Sequence, residues 1–249
     1  MPCIDLNCDL GEGAGHDAEL MPLITSANIA CGAHAGDEET MREICLLAWQ
    51  HGVAIGAHPG FEDRENFGRR EMPVTPKQVA DLIFHQTRIL QEIAVGCGGR
   101  VMHVKPHGAL YNMAARDPAL ARAVAEGARE ADPRLTLFGL AGSHLLTAGR
   151  ECGLKVASEV FADRTYQADG SLTLRTRSNA MIEDAALAVA QALHIVRDGQ
   201  VRAMGGTSIT LHADTVCLHG DGAHPVEFAM RLNEELRKAG IELKSFAHE

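Results

Sequence analysis

Two triplets carry the first chemical signal of this 249-residue sequence, Asp5, Asn7 and Asp9 near its start and His103, Lys105 and His107 near its middle. In Ile4-Asp5-Leu6-Asn7-Cys8-Asp9-Leu10 and in Val101-Met102-His103-Val104-Lys105-Pro106-His107, polar or ionisable residues recur at every second position. Side chains alternate across a strand, so each triplet shares one face. The strands of an α/β protein are normally buried on both faces and read as apolar runs. Ionisable groups on such a face are costly unless the face lines a site. Carboxylates can take a proton from water, imidazoles can carry it, and a lysine can steady a developing anion.

Other short blocks add groups of the same kinds. Glu12 lies in the glycine-rich turn after Asp9, where backbone can approach a ligand. Asn28 and His34 sit among small residues in Ser26-Ala27-Asn28-Ile29-Ala30-Cys31-Gly32-Ala33-His34. His58 ends Gly56-Ala57-His58, and Arg69 and Arg70 follow on a glycine-punctuated loop suited to an anionic group. Glu159 and Asp163 stand four apart, and His219-Gly220-Asp221 closes a later strand. Structural readings compete with these. Lys105 can form a buried pair with Asp5, Glu159 can be its partner, and Cys31 reads as a small packed hydrophobe. A metal, if one is bound, would take Asp5 or Asp9 with His34 and His58, since carboxylate and imidazole suit zinc or manganese. The sequence contains no P-loop, no dinucleotide-binding glycine fingerprint and no HExxH.

Composition narrows the class. Apolar residues make up 46% and charged residues 22%, as in a globular chain with a sizeable core. The formal charge of −10 and an aromatic content of 4% argue against nucleic acid as a partner. The seven cysteines are odd in number and free of CxxC spacing, which reads as reduced thiols and a cytoplasmic location. No apolar run approaches the ~20 residues of a membrane span.

Strand-like runs near 3–9, 23–30, 53–57, 101–105, 135–140, 155–160 and 214–219 alternate with helical patterns near 37–51, 76–95, 117–131, 143–152, 180–198 and 225–239. Asp37 and Asp117-Pro118 mark helix starts, and Thr75-Pro76-Lys77-Gln78 is a capping box. Seven β-then-α units without a composition break predict one α/β domain over 1–249, a parallel (β/α)7 TIM-like barrel. The barrel is preferred to an open sheet because polar residues end nearly every strand, where barrel sites gather. Residues 59–74 and 165–178 read as insertions on that rim, the second a hairpin around Asp169-Gly170.

Six ordered blocks, DLNCDLGEG, SANIACGAHAGD, GAHPG with FGRR, HVKPHGALYN, EVFADRTY and CLHGD, resemble the LamB/YcsF family from Asp5 to about Asp221. Leu174 stands where a proline is expected before Arg175, and Ser178-Asn179 replaces Pro-Gly, both in the expected hairpin. The resemblance implies a barrel of the glycoside hydrolase/deacetylase type. It also implies the A component of a prokaryotic ATP-dependent 5-oxoprolinase, opening the lactam of 5-oxo-L-proline to L-glutamate with B and C subunits. ATP is then a co-substrate.

For that chemistry Asp9 or Glu159 would be the base on water and His58 or His107 the proton carrier. Lys105 would stabilise the anion that develops on the former lactam oxygen or its phosphate. Asn28 would orient the ring amide, and Arg69 or Arg175 would hold the substrate carboxylate. Asp5, Asn7, Glu12, His34, His103, Asp163, His219 and Asp221 would line the substrate. Two alternatives stay open, a metal-dependent amide hydrolase or deacetylase without ATP, and a non-catalytic protein that binds the ligand for its partners.

Overall fold

A computed structural model describes residues 2–220, 222 and 224–245. In chain order its strands are β1 (Cys3–Leu10), β2 (Ser26–Ala30), β3 (Ala54–His58), β4 (Val101–Val104), β5 (Thr136–Leu140), β6 (Lys155–Phe161), β7 (Gln200–Arg202), β8 (Ser208–Thr210), β9 (Thr215–His219) and β10 (Glu242–Leu243). The helices are α1 (Asp17–Leu20), α2 (Glu38–His51), α3 (Pro76–Gly96), α4 (Gly108–Arg116), α5 (Pro118–Ala131), α6 (His144–Glu151), α7 (Ala185–Asp198) and α8 (Pro225–Lys238). Strands β1 to β6 pair in sequence, all parallel, and β9 pairs with both β6 and β1 to close a seven-stranded barrel. The short β10 extends β1 outside the ring, and β7 and β8 form a separate antiparallel hairpin.

The alternation read from the sequence decides which residues enter the barrel. Leu6, Cys8, Ile29, Val104, Val160 and Leu218 are fully buried among the apolar residues of the core. Each such aliphatic burial contributes about 1.5–3 kcal/mol. The register aligns Asp5 with Thr215, Asn7 with Ser26 and Cys217, and Asp9 with Asn28 and His219. These stack in layers along the axis, as barrel interiors do.

Helix starts follow local chemistry. The Asp37 carboxylate accepts the Thr40 amide, Thr75 and Gln78 form a reciprocal capping box, and Asp117 caps the helix opened by Pro118. The expected helix at 180–198 begins only at Ala185, where Asp184 accepts the amides of Ala186 and Leu187. The preceding residues are held by Asp163 and Thr165 instead, through Ile182 N–H to the Asp163 carbonyl and Thr165 N–H to the Ala180 carbonyl. The segment 59–74 is largely irregular around a 3-10 turn at Arg64–Asn66, while Tyr166 and Leu172 bridge antiparallel on either side of Gly170. Among the described residues no helix is long and apolar enough to cross a membrane, and all seven cysteines are free.

Candidate functional site

Polar side chains fill the barrel from the middle layer to the C-terminal rim. Lys105, 2% exposed, places its ammonium 2.8 Å from Asp9 Oδ1 and 2.9 Å from Glu159 Oε1. Asn7 Oδ1 at 3.3 Å and Cys217 Sγ at 3.1 Å complete its surroundings. Two carboxylates around one ammonium explain the protonation states. Burial disfavours the Lys105 charge, but Asp9 foremost holds its pKa well above the ordinary lysine range. Burial likewise pushes the Asp9 carboxyl up, and His58 and Lys105 outweigh it, keeping Asp9 well below the usual range.

Amides and a phenol lock this cluster. Asn28 donates to Asn7 Oδ1 at 2.7 Å and Asp9 Oδ1 at 2.8 Å, and it accepts from His103 Nε2 at 2.8 Å. Asn7 donates to Glu159 Oε1 and to Thr215. Tyr111, on α4, donates to Glu159 Oε2 at 2.7 Å. Both Glu159 oxygens are therefore taken, whereas Asp9 Oδ2 is left facing His58 Nε2 at 3.4 Å.

At the rim, Glu12, His34, His58 and His107 form a second cluster with one ligand atom each, all within 4.8 Å of one another. His34 and His107 stack at 3.7 Å with planes 2° apart, and His58 meets both edge-on. Burial lowers the pKa of His34 to about 4 and also lowers that of His107. It disfavours charge on His58 too, but Asp9 beside it leaves that ring raised. Asp9, Cys217 and His219 are a second set of metal-capable atoms, but Lys105 already places a cation 3.1 Å from Cys217 Sγ.

A cavity of about 510 Å³ opens onto these groups, within the range of about 300–1,000 Å³ usual for small-ligand sites. Asp9, Glu12, His58, Lys105, His107 and His219 line one side, with Arg69, Arg164 and Arg175 also on the wall. Arg69 lies over the Phe67 ring at 4.6 Å. His219 Nδ1 contacts both oxygens of Asp163, at 2.9 and 2.8 Å.

The remaining expected residues sit beneath or behind the cavity wall. Asn7, Asn28, His103 and Glu159 are buried supports of Lys105 and Asp9, and Asp163 stands behind His219. The orienting role expected of Asn28 meets the fact that its amide is fully used inside the barrel. Asp5 is one layer lower, accepting from Thr25, Ser26 and Thr215, so Lys105 pairs with Asp9 and Glu159 rather than with Asp5. The same bonds occupy Asp5 away from His34 and His58, which gather with Glu12 and His107, while Asp9 stays 3.4 Å from His58 Nε2. Asp221 lies outside the described residues. Sequence reasoning missed Tyr111, Thr215 and Arg164. Tyr111 follows His107 by four residues, one helical turn, and would have been found had α4 been expected.

Fold and site together define a TIM-like (β/α)7 barrel whose cavity, lined in part by ionisable side chains, opens at the C-terminal ends of the strands. The model of the LamB/YcsF family matches residues 4–249, and the chain belongs to that family. It is 54% identical over 250 residues to the A component of 5-oxoprolinase from Shouchella clausii, covering 98% of this chain and 99% of that one. The corresponding 5-oxoprolinase component of Bordetella pertussis is 51% identical over 249 residues, with 98% and 99% covered. The crystal structure of a lactam utilization protein from Thermus thermophilus superposes with a TM-score of 0.91 at 41% identity, covering 98% of this chain and 100% of that one. A polysaccharide deacetylase of Bacillus cereus has a TM-score of 0.54 at 12% identity over 99% of this chain and 92% of that one, a likeness of fold alone.

Proposed function

We propose that this chain is the A component of an ATP-dependent 5-oxoprolinase and houses the hydrolytic half of lactam opening. The observation that carries the reading is one cavity lined by the ionised Asp9, the charged Lys105 and three arginines, in a chain related throughout its length to proteins named as that component. The net reaction converts 5-oxo-L-proline, two waters and ATP to L-glutamate, ADP and phosphate. The lactam is resonance-stabilised and nearly unstrained, so it needs activation. Transfer of the γ-phosphoryl group to the lactam oxygen supplies that, and B and C subunits are the proposed carriers of nucleotide, since this chain has no phosphate-cradling motif.

Asp9 Oδ2 is placed to take a proton from water as its oxygen adds to the carbonyl carbon. Lys105 is placed to balance the negative charge of the phosphoryl group carried on the former lactam oxygen. Collapse breaks the C–N bond, the ring nitrogen receives the proton held by Asp9, and the resulting glutamyl phosphate is hydrolysed by a second water to glutamate and phosphate. Both Glu159 oxygens are occupied, which favours Asp9 as base. Arg175 or Arg69 is the proposed holder of the substrate carboxylate by a charge-assisted bond.

The deciding assay measures glutamate from 5-oxoproline and ATP with this chain alone and with its B and C partners. Release only in the mixture supports the reading. The imidazole cluster beside Asp9 favours one competitor, a metal-dependent hydrolase without ATP, and ATP-independent release by the lone chain would select it.

A further inference from the structure

His58 and His107 meet in a way that two neutral rings cannot satisfy. His58 Nδ1 lies 2.7 Å from the Lys105 carbonyl and His107 Nε2 lies 2.8 Å from the Phe67 carbonyl. A carbonyl only accepts, so these nitrogens carry the ring protons. If both rings are neutral, the opposite nitrogens, His58 Nε2 and His107 Nδ1, then point bare lone pairs at each other across 2.9 Å, a conflict that a proton on His58 or a metal ion resolves. A positive centre between them removes the conflict. Glu12 Oε1 completes the surround, 3.1 Å from His107 Nδ1, 3.1 Å from His34 Nε2 and 3.7 Å from His58 Nε2.

We propose that Glu12, His34, His58 and His107 bind one divalent first-row transition cation of the zinc or cobalt kind. The four separations, from 2.9 to 3.7 Å, bracket the ligand–ligand edge of about 3.3 Å expected for a tetrahedron with metal–nitrogen bonds of about 2.0–2.1 Å. Three imidazoles and a carboxylate suit such an ion better than calcium or magnesium. The Lys105 and Phe67 carbonyls act as outer partners that fix which nitrogen of each ring faces inward.

The surrounding backbone is shaped to the cluster. A Cβ on Gly60 would stand 2.7 Å from His34 Nδ1, and one on Gly68 would stand 2.9 Å from His34 Cβ. Phe67, whose carbonyl fixes His107, is the single non-glycine residue with positive φ among the described residues, at 56°. Such strain persists where the surroundings over-determine the backbone. His34 Nδ1 is buried without a hydrogen-bond partner, so the ring's polar contact runs through Nε2 to Glu12.

When bound, the ion supplies positive charge and Lewis acidity beside the cavity. The inference deepens the lactam reading, since the cluster borders the same cavity, yet its test needs no substrate. Chelator-stripped full-length chain is titrated with Zn²⁺ by calorimetry and with Co²⁺ by visible absorption. One ion per chain is expected, with intense tetrahedral cobalt bands that Zn²⁺ displaces. His58→Ala and His107→Ala should each weaken uptake by more than the roughly 10–100-fold cost of losing an outer partner. His194→Ala, which alters an exposed helix residue paired with Asp198, should leave uptake unchanged. Circular dichroism checks that the variants fold, and the cobalt spectrum of the parent stands without them. No stoichiometric uptake by the parent overturns the proposal, as does undiminished uptake by folded His58→Ala and His107→Ala. Uptake with no glutamate from the reconstituted complex would sink the lactam reading alone, and the reverse pattern would sink the metal site alone.

Discussion

Gly56 lies directly against His103, so that a Cβ on the glycine would fall 1.9 Å from His103 Nε2. The two are register partners on β3 and β4. The missing side chain is what lets an imidazole cross the barrel, stack on Phe138 at 4.2 Å and donate to Asn28. Asn28 in turn holds Asp9, so a glycine in one strand sets the position of a carboxylate two strands away. Gly56→Ala should destabilise the protein by about 1–3 kcal/mol through overpacking. Adding His103→Ala to it should cost less than the sum of the two single changes. Urea unfolding of the four proteins measures this, and strict additivity would refute the contact.

Lys105→Met removes the cation shared by Asp9 and Glu159. Two buried carboxylates then lack their counter-charge, a loss worth about 3–5 kcal/mol when one partner of a buried pair goes. In the reconstituted complex, turnover at saturating 5-oxoproline should fall about 100- to 1,000-fold, as for a lost transition-state donor. Parent-like turnover in a folded variant would remove Lys105 from the proposed chemistry.

The barrel was legible because its signal is periodic. Alternation placed Asp5, Asn7 and Asp9 on one face, and the strand ends named most of the cavity side. Layer was harder to read than face. Asp5 and Asp9 look alike in the sequence, yet one bonds hydroxyls near the barrel floor and the other borders the cavity. Which carboxylate reaches Lys105 depends on register between strands far apart in the chain. Helix α4 was missed because it opens at Gly108 with no side-chain cap. The β7–β8 hairpin had a readable sign in Gly205-Gly206, both with φ of 90°.

Tyr111→Phe isolates one hydrogen bond. The hydroxyl is buried, donates to Glu159 Oε2 and has its pKa held well above the usual range, first by burial and then by the Glu159 charge. Losing a bond to a charged group costs about 1.5–3 kcal/mol. The variant should unfold at lower urea while keeping its barrel. If Glu159 serves only to hold Lys105, turnover should fall far less than in Lys105→Met. Equal losses in both variants would make Glu159 a direct participant.

Two buried groups in the barrel should tilt stability with pH in opposite directions. Burial lowers the pKa of His103 to about 3, against about 6.5 for an unfolded histidine. As pH falls below about 6.5 the unfolded chain takes up a proton that the folded chain refuses, so stability is lost toward pH 3. Asp5 is raised by burial to about 6 from an ordinary 3.8. Between those values the folded chain holds a proton that the unfolded chain releases, so stability rises as pH falls from about 6 toward 4. Between pH 6.0 and 4.5 the parent should gain about 1–2 kcal/mol over Asp5→Asn. Over the same interval it should lose about 2 kcal/mol relative to His103→Gln. Urea unfolding of the three proteins at both pH values reads the two gaps. Gaps that stay constant with pH would show that neither group is held in its buried protonation state.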